Sequence, residues 1–134
     1  MRRVGSCAGR SGGCRCGARS WQSERRRAQR HVVTGNTSAL RGKPDFAGFA
    51  PTKAAQRILA EAIARELGPQ GVHVAYLVVD AVIDLEWTRK RFHGRPDDFF
   101  IKPQAIADEI WHVVHQDRSA WSFNVELRPF GETW

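Results

Sequence analysis

Ala64-Arg65-Glu66-Leu67-Gly68-Pro69-Gln70-Gly71-Val72-His73-Val74 is where a helical pattern gives way to a strand. Upstream, Gly48 to Leu67 reads as one long helix, with Ala54, Ile58, Ala62 and Leu67 on broadly one side. Pro51 falls in its first turn, where a missing N–H costs little. Gly68-Pro69 stops it. Downstream, Val72 to Val79 is β-prone and nearly all apolar, as expected of a strand covered on both faces.

The pattern extends outward from this junction. His31-Val32-Val33 reads as the end of a short buried strand, and the glycine- and proline-bearing residues 35–47 as a loop. Residues 80–101 make a long connection with a short helix around Asp84 to Phe92. Lys102-Pro103 opens a helix to about His115, with Ile106, Ile110, Trp111 and Val114 as its apolar stripe. Ser122 to Leu127 alternates as a final strand. Strands joined by helical crossovers imply an α/β fold, a partial Rossmann-like parallel sheet of three strands with flanking helices.

A length of 134 residues allows one domain. The net charge of +7 points at first to nucleic acid, but its distribution does not. Residues 1–30 hold nine arginines and one acid, Glu24, and carry +8, while residues 31–134 carry −1. The chain therefore divides into a basic tail, 1–30, expected to be disordered, and an ordered half-domain, 31–134. Binding of nucleic acid through the arginine tail is an alternative function, disfavoured by the near-neutral domain. Cys7, Cys14 and Cys16 all lie in the tail with no fourth cysteine, so neither a disulfide framework nor a zinc module is expected. His112 and His115 stand three apart without a carboxylate that completes a metal site. No apolar run reaches the roughly 18 residues that span a bilayer, and no apolar core follows the N-terminal arginines. A cytoplasmic location and no membrane partner are the expectation.

Phe49-Ala50-Pro51-Thr52-Lys53, followed by Ala54-Ala55, carries a more specific signal. So do the helix exit at Ala64 to Gly68, the strand lead-in at Gly71 to Val74, and the Pro103 to Ile110 helix. Together, over about residues 31–131, they resemble the C-terminal half of a short-chain dehydrogenase/reductase. That family places a Tyr-x-x-x-Lys pair at the start of such a helix. Here the tyrosine position reads Phe49, and a benzyl ring cannot donate a proton.

The resemblance implies an NAD(P)-dependent oxidoreductase acting on a carbonyl or alcohol. Its site would comprise Phe49 and Lys53, with Asn36 or Ser38 near the family serine position to polarise the substrate. Lys53, Ala81 and Ile83 would face the NAD or NADP, with Lys53 on the ribose hydroxyls. Trp87, Phe92, Phe99 and Phe100 would form an apolar substrate wall. The family's Pro-Gly after the sixth strand reads Asp80-Ala81, a carboxylate where a neutral turn belongs. Thr34 to Gly42 begins with Thr-Gly but lacks the further glycines of a dinucleotide cradle, and Gly9, Gly12 and Gly13 follow no strand. The implied protein is thus truncated relative to the family and catalytically impaired. The alternative is a non-catalytic interaction or dimerisation fragment using helix 48–67, with Leu59, Ile63 and Leu67 at the interface. Without a strand beyond it, His31 to Thr34 is expected to leave an apolar edge and a fold of low stability.

Overall fold

The computed structural model describes residues 29–132. The expected disordered tail and its three cysteines lie outside the described residues, apart from the last two positions of the tail. Three parallel strands form the main sheet in the order β1-β2-β5: β1 is Arg30–Gly35, β2 is His73–Val79 and β5 is Asn124–Leu127. Arg30 pairs with His73 through Gly35 with Val78, and Tyr76 pairs with Asn124 through Val79 with Leu127. β2 is the centre, and His73 to Val78 are all buried, as a continuous apolar run requires. Among the described residues, β1 and β5 are the sheet's edges.

Helix α1, Phe49–Leu67, packs on β2. Its last turn passes into a 3-10 turn, Gly68–Gln70, and Gly71 leads into β2 at a left-handed φ of 89°, a conformation that glycine adopts without strain. Helix α3, Pro103–Val114, contacts β1 and β2 and precedes β5. Within the β2–α3 connection lie β3 (Val82–Ile83), α2 (Glu86–Arg91) and β4 (Phe100–Ile101). β3 and β4 pair in parallel as a separate two-stranded sheet, which the sequence pattern does not reveal. Two-residue strands carry no period that a window can detect.

The core corrects two apolar stripes. On α1 Ala60 is buried and Ala64 half-buried against the sheet core, Ala50 is buried at the helix start, and Ala54 and Leu67 are half-buried; Ile58 and Ala62 face solvent. The partner surface explains this. Tyr76 is fully buried beneath the helix, and a bulky residue on the sheet needs small ones opposite it. Arg57 adds its cation above the Phe123 ring, at 5.8 Å. On α3, Trp111 is 67% exposed and Val113 is the buried anchor. Trp111 instead lies against the His115 ring, 4.0 Å between centroids.

At the lower end of β2, His73 stacks on Trp121 at 4.8 Å and donates from Nε2 to the Ser122 carbonyl at 2.9 Å. That contact fixes the approach to β5. The candidate site positions Asn36, Ser38 and Ala81 follow the opposite, C-terminal ends of the strands, where parallel α/β sheets place their ligands.

Candidate functional site

β1 ends at Gly35, and Asn36 turns the chain. Its extended backbone and side-chain oxygen cap a 3-10 turn, Thr37–Ala39, by accepting the Ser38 N–H at 3.1 Å. Asn36 and Ser38 are therefore brought together, with the Asn36 carbonyl oxygen committed to the turn. Ser38 and Thr37 are both buried.

Phe49 opens α1 and is 43% exposed, with its ring edge-on to Phe46 at 5.9 Å. One turn later, Lys53 Nζ sits 5.7 Å from the Phe49 ring centroid and donates to Gln56 Oε1 at 3.1 Å. The four-residue spacing thus puts the two side chains on one helix face, as it would a tyrosine and a lysine. The aromatic ring takes the ammonium as a cation–π partner and offers it no oxygen.

Asp80 follows β2 and organises the strand ends. Thr37 Oγ1 donates to its Oδ1 at 3.1 Å, Arg41 Nη2 lies 3.5 Å from its Oδ2, and its backbone N–H donates to the Leu127 carbonyl at 2.8 Å. One nine-tenths-buried residue therefore ties together the exits of β1, β2 and β5. Arg41 is the member of this cluster that sequence reasoning missed. The available signal was Asp80 itself, because a carboxylate closing an all-apolar strand needs a cation and a donor.

Ala81 and Ile83 lie half-buried in and beside β3, at the mouth of the same sheet end. Beyond them the α2 segment is held by polar contacts. Thr88, buried, accepts the Leu85 N–H at 2.9 Å, and its hydroxyl also lies 2.6 Å from the Ile83 carbonyl. Arg89 forks onto Asp84 at 2.6 and 2.8 Å and also reaches Asp97. This hydrogen bond from Arg89 holds the Asp84 carboxyl below its ordinary value. Of the wall aromatics, Phe100 is buried, Phe92 and Phe99 are half-buried and in contact, and Trp87 faces solvent.

A cleft of about 360 Å³ separates the loop after the 3-10 turn from the start of α1. Ser38 and Arg41 line one side, and Ala50, Pro51 and Ala54 the other. Ser38 therefore shares an opening with the first turns of the helix that carries Phe49 and Lys53. Among the described residues, no group of three or more His, Cys, Asp or Glu is placed to hold a metal ion, and no helix is long and apolar enough to cross a membrane.

No family model matches the chain, and no curated protein matches it. Solved structures do. A short-chain dehydrogenase from Rhodopseudomonas palustris is 35% identical, with a TM-score of 0.58, over 77% of this chain and 40% of that one. An alcohol dehydrogenase from the archaeon Thermococcus sibiricus, complexed with 5-hydroxy-NADP, is 23% identical with a TM-score of 0.62, over 78% of this chain and 43% of that one. An NADPH-bound short-chain oxidoreductase from Pseudomonas aeruginosa PAO1, containing an atypical catalytic centre, is 16% identical with a TM-score of 0.63, over 77% and 46%. The chain spans less than half the length of these relatives. Strand order, the helix with Phe49 and Lys53 at its start, and this set of neighbours together show that the described domain resembles the short-chain dehydrogenases in fold and, toward the Rhodopseudomonas palustris protein, in sequence.

Proposed function

We propose that this chain is a short-chain dehydrogenase/reductase relative, an NAD(P)-dependent oxidoreductase by descent, acting on a small carbonyl or alcohol and catalytically impaired as it stands. The observation that carries the reading is Lys53 one turn after an aromatic ring on a helix packed against the Thr37–Ala39 turn, with no hydroxyl on that ring. The cofactors named with the relatives, NADPH and 5-hydroxy-NADP, support the nucleotide class.

The described residues fit the group unevenly. Lys53 offers an ammonium suited to ribose hydroxyls, and the family resemblance assigns the Ala81–Ile83 stretch that follows β2 to the nicotinamide. No glycine-rich strand–turn–helix unit for the diphosphate stands among the described residues. The cofactor, when bound, supplies the hydride. The chain's own part is to hold the ribose through Lys53 and to polarise a carbonyl through the Asn36 amide or the Ser38 hydroxyl. The proton that a phenol would give is absent at Phe49.

Titration of the purified chain with NADH and NADPH, read by energy transfer from its tryptophans, tests the reading. No saturation is expected below about 1 mM. Micromolar saturation would overturn the expected loss of cofactor binding and leave Phe49 as the remaining cause of impairment. In that event Phe49→Tyr should raise carbonyl reduction by at least about 10²-fold, and an unchanged rate would show that the missing phenol is not limiting.

A second reading rests on α1. Ile58 and Leu59 are 60% and 62% exposed, and Ile63 joins them on the face turned from the sheet, whereas Leu67 is half-buried. Such an apolar stripe is suited to a homodimer packed helix against helix. Sedimentation at micromolar concentration should give a dimer, and Leu59→Lys combined with Ile63→Lys a monomer. A monomeric parent chain would remove this reading.

A further inference from the structure

We propose that the cleft between the 37–46 loop and the start of α1 binds a small organic carboxylate with a short apolar chain, Arg41 receiving the anion. Two cations, Arg41 and Lys43, line this cleft, and no carboxylate does. Asp80 stands behind Arg41 and offsets one charge, leaving Lys43 and a net positive opening. The Arg41 guanidinium is not used up by Asp80. Its side chain is 37% exposed, and the contact is a single nitrogen at 3.5 Å. A guanidinium anchored from behind and open in front is pre-set for a second carboxylate.

The rest of the lining selects the body of the ligand. Leu40, Phe46, Ala50 and Pro51 present apolar surface, and Leu40 and Phe46 are exposed. The volume admits a molecule of a few carbons. Ser38 lines the same cleft, so a carbonyl on that ligand would come under the hydroxyl that the proposed chemistry needs. Calling the ligand a substrate, an oxo or hydroxy acid, rests on the oxidoreductase reading. Binding of a carboxylate does not, and it is tested without cofactor.

The test is titration of the full-length ¹⁵N-labelled chain with butyrate, butyramide and inorganic phosphate, read from amide shifts. Butyrate should shift the amides of Leu40 to Lys43 and Ala47 to Ala50 saturably, at least about tenfold more tightly than the other two probes. Arg41→Gln should abolish that preference. Because it leaves Asp80 without its cation, Arg41→Gln with Asp80→Asn is the folding control and should lose the preference too. Equal affinity for butyrate and butyramide, equal affinity for phosphate, shifts elsewhere or no shifts would each overturn the proposal. A chain that binds butyrate and no NADH keeps both the cleft and the impaired reading. One that binds NADH and not butyrate loses the carboxylate proposal and the expected loss of cofactor binding.

Discussion

Gly35→Ala is expected to destabilise the fold by about 3 kcal/mol, the upper end for overpacking, seen as a lower urea midpoint with an unchanged slope. A methyl group at position 35 would lie 1.9 Å from Tyr76 Oη, 2.4 Å from Cζ and 2.8 Å from Cε1. Tyr76 cannot withdraw. It has no exposed surface, and Val74, Val78 and Ala60 hold it in the core cluster. Nor can Gly35 move easily, because its register with Val78 closes the last pair of the β1–β2 ladder. The strands must part, and the Asn36 turn that follows must shift with them.

A double-mutant cycle isolates this contact. Tyr76→Phe alone should be near neutral, since Tyr76 Oη is buried without a hydrogen-bond partner among the described residues. Added to Gly35→Ala, it should relieve only part of the loss, because Cζ would remain too close. Tyr76→Leu alone should cost about 3 kcal/mol through the cavity it leaves. Gly35→Ala in that background should cost less than about 1 kcal/mol. An equal cost for Gly35→Ala beside Tyr and beside Leu would show that the phenol is not what requires glycine.

Period and punctuation made the large elements legible. Val72 to Val79 reads as a strand buried on both faces because nothing polar but His73 interrupts it, and that histidine is itself buried and bonded. The long helix, read as Gly48 to Leu67, matches the observed Phe49–Leu67 to within a residue at either end. Which face it buries was not legible. Hydrophobicity ranks Ile58 above Ala60, while the sheet ranks them by size, because Tyr76 already fills the space between helix and strand. The same reasoning misplaced Trp111 and overlooked Val113.

The candidate site divides in the same way. The family resemblance pointed to Phe49 with Lys53 and to Asn36 or Ser38, and the fold brings each two together within one turn. Thr37 and Asp80 are 43 residues apart, and no periodic pattern records such a partnership. Asp80 was legible only as an anomaly, a charge where a neutral turn belongs. Its purpose became visible once the strand ends were assembled around it.

That cluster supports the second large effect. Arg41→Leu should cost about 2 kcal/mol, below the usual figure for breaking a buried pair because more than a third of the Arg41 side chain is in water. The loss arises from Asp80, whose carboxylate would keep the Thr37 hydroxyl but lose its cation at nine-tenths burial. Asp80→Asn should cost less, about 1 kcal/mol, because the amide oxygen can still accept from Thr37 and the freed guanidinium can turn to solvent. The double variant should cost less than the two singles together, because neither charge is then left without the other. Amide exchange supplies the local reading. Leu40 and Arg41 donate to the Thr37 carbonyl at 2.9 and 3.0 Å, and these amides should exchange faster in Arg41→Leu while the centre of β2 stays protected. If Asp80→Asn proves the costlier change, or if the 36–41 turn keeps its protection without Arg41, then Asp80 is stabilised by the strand ends and not by the guanidinium.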